Sequence, residues 1–255
     1  KSMGYIIHNR AFKEVKSTNI YIPFLVDNLE KFFKEFSSYF EGLSVTMPFK
    51  EDIMVLMDDV EETAKRIGSV NTVVRDENGW KGYNTDYTGA LEALEKHVDL
   101  KGKKVLIIGA GGTAKAIGYG VYEKGAKITV TYNKNKEKGL QLARELKAKV
   151  VNIKNAGEEE IDVLINCSPV GMSPNQGETP ISSRYLRNGM VVFDSVYNPL
   201  ETRLIREAKE VGCVTISGIE LFVNQAVAQL DLWTGQKVST NLMRDVVVKG
   251  LKDSI

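Results

Sequence analysis

A glycine-rich loop between a strand and a helix restricts the fold of this chain more than any other feature. Residues 104–108 read KVLII, a short apolar run that predicts a buried strand. Residues 113–125 read TAKAIGYGVYEKG, which predicts a helix. The loop itself runs through Gly109, Ala110, Gly111, Gly112, Thr113 and Ala114. Strand, glycine turn and helix in this order are the context in which such a loop indicates a dinucleotide-binding domain.

Three residues of the loop have separate roles in such a domain. Gly109 permits a tight turn, Gly111 lets backbone amides approach a pyrophosphate, and Ala114 lets the helix lie close to the sheet. The amino end of the helix then faces the phosphates with its positive dipole end. Glycine also marks ordinary tight turns, so it is the context of the loop that favours nucleotide binding.

The end of the following strand selects between two cofactors. An enzyme for NAD usually carries Asp or Glu about 20 residues after the glycines, where it binds the ribose 2′-hydroxyl. Here the strand ITVTY is followed by Asn133-Lys134-Asn135-Lys136, without an acid. Lys134 and Lys136 would attract a 2′-phosphate that a carboxylate would repel, which favours NADP. Alternatively, these lysines form an ordinary solvated loop.

Alternating strand and helix patterns run through the whole chain and predict an α/β fold with a largely parallel sheet. The 255 residues, 43% of them hydrophobic, are enough for two domains, and the pattern changes near residue 87. In the first part, residues 20–26 (IYIPFLV) predict a strand. A strand pair is expected around Asn78-Gly79. Thr85 and Asp86 are expected to cap the next helix.

The overall charge and composition restrict the possible partners. The 34 basic and 33 acidic residues give a net charge of +1, so there is no electrostatic reason to expect nucleic acid or an anionic membrane. His8 and His97 are the only histidines, which excludes a histidine-rich metal site, and no metal is expected. No apolar run approaches the ~20 residues that span a bilayer, and no signal peptide is visible. We expect a soluble, cytoplasmic protein.

Three segments of the first 90 residues end in polar groups that an ordinary core would not need. They are residues 44–50 (SVTMPFK), 68–74 (GSVNTVV) and 83–89 (YNTDYTG). A small polyol substrate needs such groups to pair with its hydroxyls in a cleft. Lys50 could exchange a proton with a carbonyl oxygen, and Asp86 could hold its ammonium group. Alternatively, Lys50 is a surface lysine and Asp86 only a helix cap.

At this point eight segments, in order and spacing, resemble the shikimate dehydrogenase family over nearly the whole chain. They are KS and HN within residues 1–9, SVTMPFKE, IGSVNTVV, GYNTDYTGA, IGAGGTAKA, NCSPVGMSP, FDSVYNP and SGIELFVNQA. The resemblance implies NADPH-dependent reduction of 3-dehydroshikimate to shikimate, on the route to chorismate and the aromatic amino acids. It also implies a substrate domain at residues 1–87 plus about 221–255, and a Rossmann-type NADP domain at residues 88–220. The C-terminal helices would pack on the substrate domain.

The resemblance also implies roles for individual residues. Lys50 and Asp86 would be the catalytic acid–base pair. The substrate would be bound by Ser2, Thr46, Asn71, Asp86, Tyr197 and Gln225. The cofactor would be bound by Gly109, Ala110, Gly111, Gly112, Thr113, Ala114, Asn133, Lys134 and Gly218. A monomer or a homodimer is expected.

Two departures from the family pattern bear on these expectations. The family usually has Ser-x-Ser before the first helix, and here only Ser2 remains, so we expect an N-terminal truncation. Asn133-Lys134-Asn135 stands where Asn-Arg-Thr is common, and lysine lacks the planar fork of arginine, so NADP preference is expected to be weaker. Three alternatives stay open: a quinate/shikimate enzyme, the reductase half of a bifunctional dehydratase–dehydrogenase, and a non-catalytic NADP-binding regulator.

Overall fold

The chain forms two compact units. A computed structural model describes residues 3–132, 135–158 and 160–253. The first unit comprises Lys1–Thr88 and Val223–Ile255, and the second comprises Gly89–Phe222. These bounds differ by no more than two residues from those expected from the sequence.

Helices and strands alternate along most of the chain, as the sequence predicts for an α/β fold. In the described residues the helices are α1 (Gly4–Glu14), α2 (Leu29–Phe36), α3 (Glu62–Ile67), α4 (Thr85–Leu94), α5 (Gly112–Glu123), α6 (Lys136–Glu145), α7 (Arg203–Val211), α8 (Gly218–Thr234) and α9 (Thr240–Lys252). The strands are β1 (Gly42–Ser44), β2 (Asp59–Val60), β3 (Thr72–Asp76), β4 (Gly79–Tyr83), β5 (Lys104–Ile108), β6 (Lys127–Tyr132), β7 (Lys149–Asn152), β8 (Val163–Asn166), β9 (Val191–Asp194) and β10 (Val214–Ile216).

The sheet of the first unit is mixed. Its strand order is β1-β3-β4-β2, in which β3 is antiparallel to both neighbours and β2 is parallel to β4. The strand pair predicted around Asn78-Gly79 is confirmed as β3 and β4. Gly79 has a φ of +117°, a conformation that glycine adopts readily. The terminal helices pack back on this unit as predicted; α9 approaches α1 so closely that a Cβ on Gly250 would lie 2.5 Å from Met3 Cε.

The predicted strand at residues 20–26 is wrong. The segment has no regular secondary structure, none of the described strands pairs with it, and Leu25 is 98% exposed. Pro23 lacks an N–H group and so cannot donate to a sheet. The side-chain amide of Asn9 instead bonds the backbone of Tyr21, accepting from its N–H at 2.8 Å and donating to its carbonyl at 2.9 Å. The apolar composition of the segment was therefore not evidence of sheet pairing.

The second unit contains a six-stranded parallel sheet in the order β10-β9-β8-β5-β6-β7. This is the doubly wound order of a Rossmann-type domain. β8 and β9 are buried along their whole length, because helices cover both faces of such sheets. Strand order reverses at β5, between β6 and β8, and ligands bind such sheets at the carboxyl ends of the strands at this point. The glycine loop follows β5 and lies at that position.

Candidate active site

Lys50 and Asp86 form an ion pair in the first unit. Lys50 lies in the turn after β1, and Asp86 lies in the first turn of α4. Lys50 Nζ is 2.5 Å from Asp86 Oδ2, and their side chains are 15% and 8% exposed. Lys50 is therefore not a surface lysine. The cap of α4 is not Thr85 or Asp86, as the sequence suggested, but Asn84, whose Oδ1 accepts from the N–H of Tyr87 at 3.2 Å.

Asn71 orients the second oxygen of the carboxylate. Its Nδ2 donates to Asp86 Oδ1 at 2.9 Å, so each oxygen of Asp86 accepts one strong donor. Its Oδ1 accepts from the Thr85 N–H and from Thr72 Oγ1, each at 2.8 Å. Asn71 is 2% exposed. In this arrangement its amide orders the ion pair, and a substrate hydroxyl would have to share one of these bonds.

Two side chains of α8 bind the backbone of the sheet beside this pair. Gln229 Nε2 lies 3.2 Å from the carbonyl oxygen of Asn71, and Trp233 Nε1 donates to the carbonyl of Val73 at 3.0 Å. One helical turn separates these two side chains, so they share one face of α8. Gln225 lies one further turn toward the amino end of α8, on the same face, and is buried.

The remaining residues predicted to bind the substrate are Thr46, Tyr197 and Ser2, and they lie in separate parts of the chain. Thr46 lies two residues after β1 and is exposed. Tyr197 belongs to the second unit, where its ring stacks on Phe222 with centroids 4.4 Å apart. Ser2 lies outside the described residues. Their assignment to the substrate therefore stays a prediction.

The glycine loop of the second unit has the geometry that a pyrophosphate requires. Gly109 has a φ of +113°, and a Cβ there would lie 3.1 Å from the carbonyl group of Cys167. Gly111 has an ordinary φ of −89° and nothing within 4 Å of a Cβ position. Neither the backbone conformation nor the packing therefore requires a glycine at residue 111. The absence of a side chain there leaves the space at the amino end of α5 open. These residues fit a dinucleotide phosphate.

The amino end of α5 has the features of an anion-binding helix end. No side chain caps it, and its first turn carries no acidic residue. Ala110, Gly112 and Thr113 are partly exposed, whereas Ala114 is buried, as close packing of helix and sheet requires. Gly218 begins α8, and a Cβ there would lie 2.4 Å from the carbonyl oxygen of Val196. Asn133 and Lys134, predicted to bind the 2′-phosphate, lie outside the described residues.

A buried carboxylate at the ends of β8 and β9 escaped the sequence reasoning. Asp194 accepts hydrogen bonds from Asn166 Nδ2 at 2.9 Å, the Val196 N–H at 3.0 Å and Thr202 Oγ1 at 2.6 Å. Burial raises the pKa of Asp194 to about 6, against the opposing effect of these donors. The network fixes the loop that carries Tyr197. The sequence signal that could have predicted this carboxylate is the acid that ends the apolar run VVFD, residues 191–194.

Two other kinds of site are absent from the described residues. No group of three or more His, Cys, Asp or Glu side chains is placed there to hold a metal ion. Of the helices in that part of the chain, none has the length and apolar character needed to cross a membrane.

Three family models match successive parts of the chain. Residues 1–73 match the shikimate dehydrogenase substrate binding domain, residues 91–184 match shikimate / quinate 5-dehydrogenase, and residues 218–248 match the shikimate 5′-dehydrogenase C-terminal domain. Together they include Lys50, Asn71 and the glycine loop.

Individual proteins are similar over nearly all of the chain. A shikimate dehydrogenase (NADP(+)) from Methanothermobacter thermautotrophicus is 36% identical over 98% of this chain and 93% of its own. The chloroplastic bifunctional 3-dehydroquinate dehydratase/shikimate dehydrogenase of Arabidopsis thaliana is 40% identical over 97% of this chain, which spans 44% of that protein. The crystal structure of shikimate 5-dehydrogenase from Thermus thermophilus with NADP(H) and shikimate superposes with a TM-score of 0.87, at 31% identity, covering 97% of this chain and 94% of that one. On these matches, this chain belongs to the shikimate dehydrogenase family.

Proposed function

We propose that this chain catalyses the reversible, NADP-dependent reduction of 3-dehydroshikimate to shikimate, in the biosynthesis of aromatic amino acids. The observation that carries the proposal is the Lys50–Asp86 ion pair, held on its second oxygen by Asn71. An acid–base group held in one geometry beside other polar side chains is what a ketone–alcohol interconversion requires.

In the reducing direction, Lys50 donates a proton from Nζ to the carbonyl oxygen of the substrate. Asp86 keeps Nζ in place through Oδ2, while Asn71 prevents the carboxylate from rotating away. NADPH, when bound, supplies the hydride that completes the reduction. In the oxidising direction, the uncharged Lys50 amine accepts the proton of the substrate hydroxyl.

Binding roles follow the same assignment. Thr46, Asn71 and Gln225 would pair with ring hydroxyls, and Tyr197 and Ser2 would lie toward the carboxylate. The glycine loop from Gly109 to Ala114 would hold the pyrophosphate, Asn133 and Lys134 would bind the 2′-phosphate, and Gly218 would contact the cofactor elsewhere. Support for the loop assignment comes from the open space at Gly111 and the uncapped amino end of α5.

The alternatives differ in testable ways. A quinate enzyme would use the same ion pair on a ring with one more hydroxyl, so only relative rates separate the two substrates. A non-catalytic regulator would have no need of an ordered Lys50–Asp86 pair. A fused dehydratase domain, a cytoplasmic location, the absence of nucleic-acid partners and a monomeric or dimeric state stay predictions.

The test is the shikimate-dependent reduction of NADP, followed by absorbance, for the wild type, Lys50→Ala and Lys65→Ala. Lys65 is a matched control, since it is also ion-paired but is 47% exposed, and its partners are Asp59 and Glu62 rather than residues of the proposed site. Loss of the acid–base group is expected to lower kcat by roughly 10²–10⁴-fold, with NADP affinity unchanged. Lys65→Ala should retain full activity.

Parallel assays with NAD and quinate measure the preference for each cofactor and substrate. Faster turnover with NADP and shikimate is expected. A folded wild-type chain that binds NADP but oxidises neither shikimate nor quinate would contradict the proposed function. Equal activity of Lys50→Ala and wild type would contradict the role of Lys50.

A further inference from the structure

Gln229 is linked to the Lys50–Asp86 ion pair through the side chains of Thr72 and Asn71. Its side chain is completely buried on α8, and its Nε2 has three acceptors, which lie in β1, in β3 and at the residue before β3. These are Thr72 Oγ1 at 2.9 Å, the carbonyl oxygen of Asn71 at 3.2 Å and Ser44 Oγ at 3.2 Å. An amide nitrogen carries two hydrogens, so these acceptors share them. Nothing in the catalytic chemistry requires a glutamine at this depth.

The hydrogen bonds from Gln229 have a fixed direction. Because Thr72 Oγ1 accepts from Gln229, its own hydrogen is available for donation, and Asn71 Oδ1 at 2.8 Å is nearer than Thr85 Oγ1 at 3.1 Å. The Thr85 N–H also bonds Asn71 Oδ1 at 2.8 Å, so two donors hold the oxygen end of this amide and its nitrogen end faces Asp86 Oδ1. Gln229, Thr72 and Asn71 thus form one series of hydrogen bonds. The series ends at the carboxylate that holds Lys50 Nζ.

Gln229 also fixes the position of the backbone from which Asn71 projects. The carbonyl of Asn71 accepts from Gln229 and from the Val45 N–H at 2.8 Å, so both of its lone pairs are used. Trp233, one turn further along α8, makes the corresponding bond to the carbonyl of Val73. The helix thus holds two alternate carbonyls at the start of β3.

We propose that Gln229 is a positioning residue, which acts through Thr72 and Asn71 to hold the Asp86 carboxylate in the orientation that places Lys50 Nζ. Two donors on one amide, directed at a side chain and at a backbone carbonyl, fix both the rotation and the location of Asn71. Removing them would leave buried acceptors unsatisfied and loosen the Asn71 amide, which would keep only the bond from the Thr85 N–H on its oxygen side. The effect on rate rests on the proposed function, whereas the effect on the ion pair does not.

The first experiment measures kcat for shikimate oxidation in Gln229→Met, Thr72→Val and Ser44→Ala. Gln229→Met keeps the length of the side chain and removes its donors, and Thr72→Val removes the hydroxyl through which the donors act. Ser44→Ala is the matched control, because it removes an acceptor of Gln229 that does not lead to Asp86. We expect kcat to fall by about tenfold or more in the first two variants, with unchanged NADP affinity, and to stay at the wild-type value in the control.

A double variant separates positioning from a general structural effect. If Gln229 acts through Thr72, combining Gln229→Met with Thr72→Val should lower kcat no further than either change alone. Independent effects would instead multiply, and that result would overturn the proposed route. If Gln229→Met does not fold, Thr72→Val and Ser44→Ala carry the comparison.

The second experiment needs neither substrate nor cofactor. Each variant is treated with a limiting amount of a lysine-acylating reagent, and mass spectrometry compares the labelling rate of Lys50 with that of Lys65 in the same sample. A loosened ion pair should make Lys50 react about threefold faster or more in Gln229→Met and Thr72→Val, but not in Ser44→Ala. Unchanged labelling together with unchanged kcat would overturn the inference. A wild type without turnover would refute the proposed function while the labelling still decided the role of Gln229.

Discussion

Gly111→Ala should separate the binding of the cofactor from the stability of the fold. The residue has a φ of −89° and a ψ of −175°, which any amino acid adopts, and no atom lies within 4 Å of a Cβ. Replacing glycine in an allowed conformation usually adds about 0.4–1 kcal/mol, because the unfolded chain loses entropy. Alanine is a poorer helix cap than glycine by a similar amount. The free energy of unfolding should therefore stay within about 1 kcal/mol of the wild type.

The same methyl group should impair NADP binding. It would occupy the space through which a pyrophosphate approaches the backbone amides of the loop. We expect the Kd for NADP to rise about tenfold or more, equivalent to about 1.4 kcal/mol. Gly109→Ala provides the contrast, since its φ of +113° and the nearby Cys167 carbonyl make any side chain strained. That variant should lose about 1–3 kcal/mol of stability as well as affinity.

Denaturant unfolding followed by far-UV circular dichroism, and equilibrium titration with NADP, measure the two effects. The reasoning would be refuted by a Gly111→Ala chain that binds NADP as the wild type does. A fall of more than about 2 kcal/mol in the free energy of unfolding of Gly111→Ala would also refute the reasoning, because it would show that the fold itself requires glycine at residue 111.

Three further predictions concern the stability of each unit. Burial lowers the pKa of His8 to about 4, so below pH 6.5 only the unfolded state gains a proton there. Wild type should thus lose about 3 kcal/mol relative to His8→Phe between pH 6.5 and 4 in urea titrations, and parallel pH curves would contradict this. The pKa of Asp194 is instead raised from 3.8 to about 6, so the folded state holds the extra proton. As the pH rises through this range, the wild type should lose about 3 kcal/mol relative to Asp194→Asn, and a relative gain would contradict the assignment. A Cβ on Gly42 would lie 2.4 Å from Trp233 Nε1, so Gly42→Ala should lower the free energy of unfolding by about 1–3 kcal/mol and alter tryptophan fluorescence. A variant with the stability and fluorescence of the wild type would contradict this.

The elements that the sequence predicted are those whose signals are local. The loop from Gly109 to Ala114 combines a buried strand, a turn and a helix within 13 residues, 104–116, so its context is readable directly. The pair β3 and β4 depends on a short turn between two β-rich runs and was found for the same reason. The strand-end positions of Lys50 and Asp86 suggested a pair but left an alternative open, and the family resemblance implied the pair although 36 residues separate them.

The predictions that failed depended on contacts that no local pattern contains. Residues 20–26 have the apolar composition of a strand, yet pairing requires a neighbour, and the neighbour of Tyr21 is the side chain of Asn9. The cap of α4 was placed one residue late because Asn84, Thr85 and Asp86 can all accept a backbone N–H. Asp86 does not cap the helix because Lys50 and Asn71 bond its two carboxylate oxygens, and Asn84 accepts the backbone N–H of Tyr87 instead.

Gln229 shows which residues of a catalytic unit can be predicted from the sequence and which cannot. The reacting groups can be found by their chemistry, since a lysine and a carboxylate at strand ends suggest a task. The groups that orient them have no such chemistry, and Gln229 bonds Thr72 across 157 residues of sequence. Its one local signal is spacing: Gln225 and Gln229 are polar side chains four residues apart, on one face of a largely apolar helix. A buried amide is costly unless it is hydrogen-bonded, so a glutamine on an apolar helical face indicates a partner that it must orient.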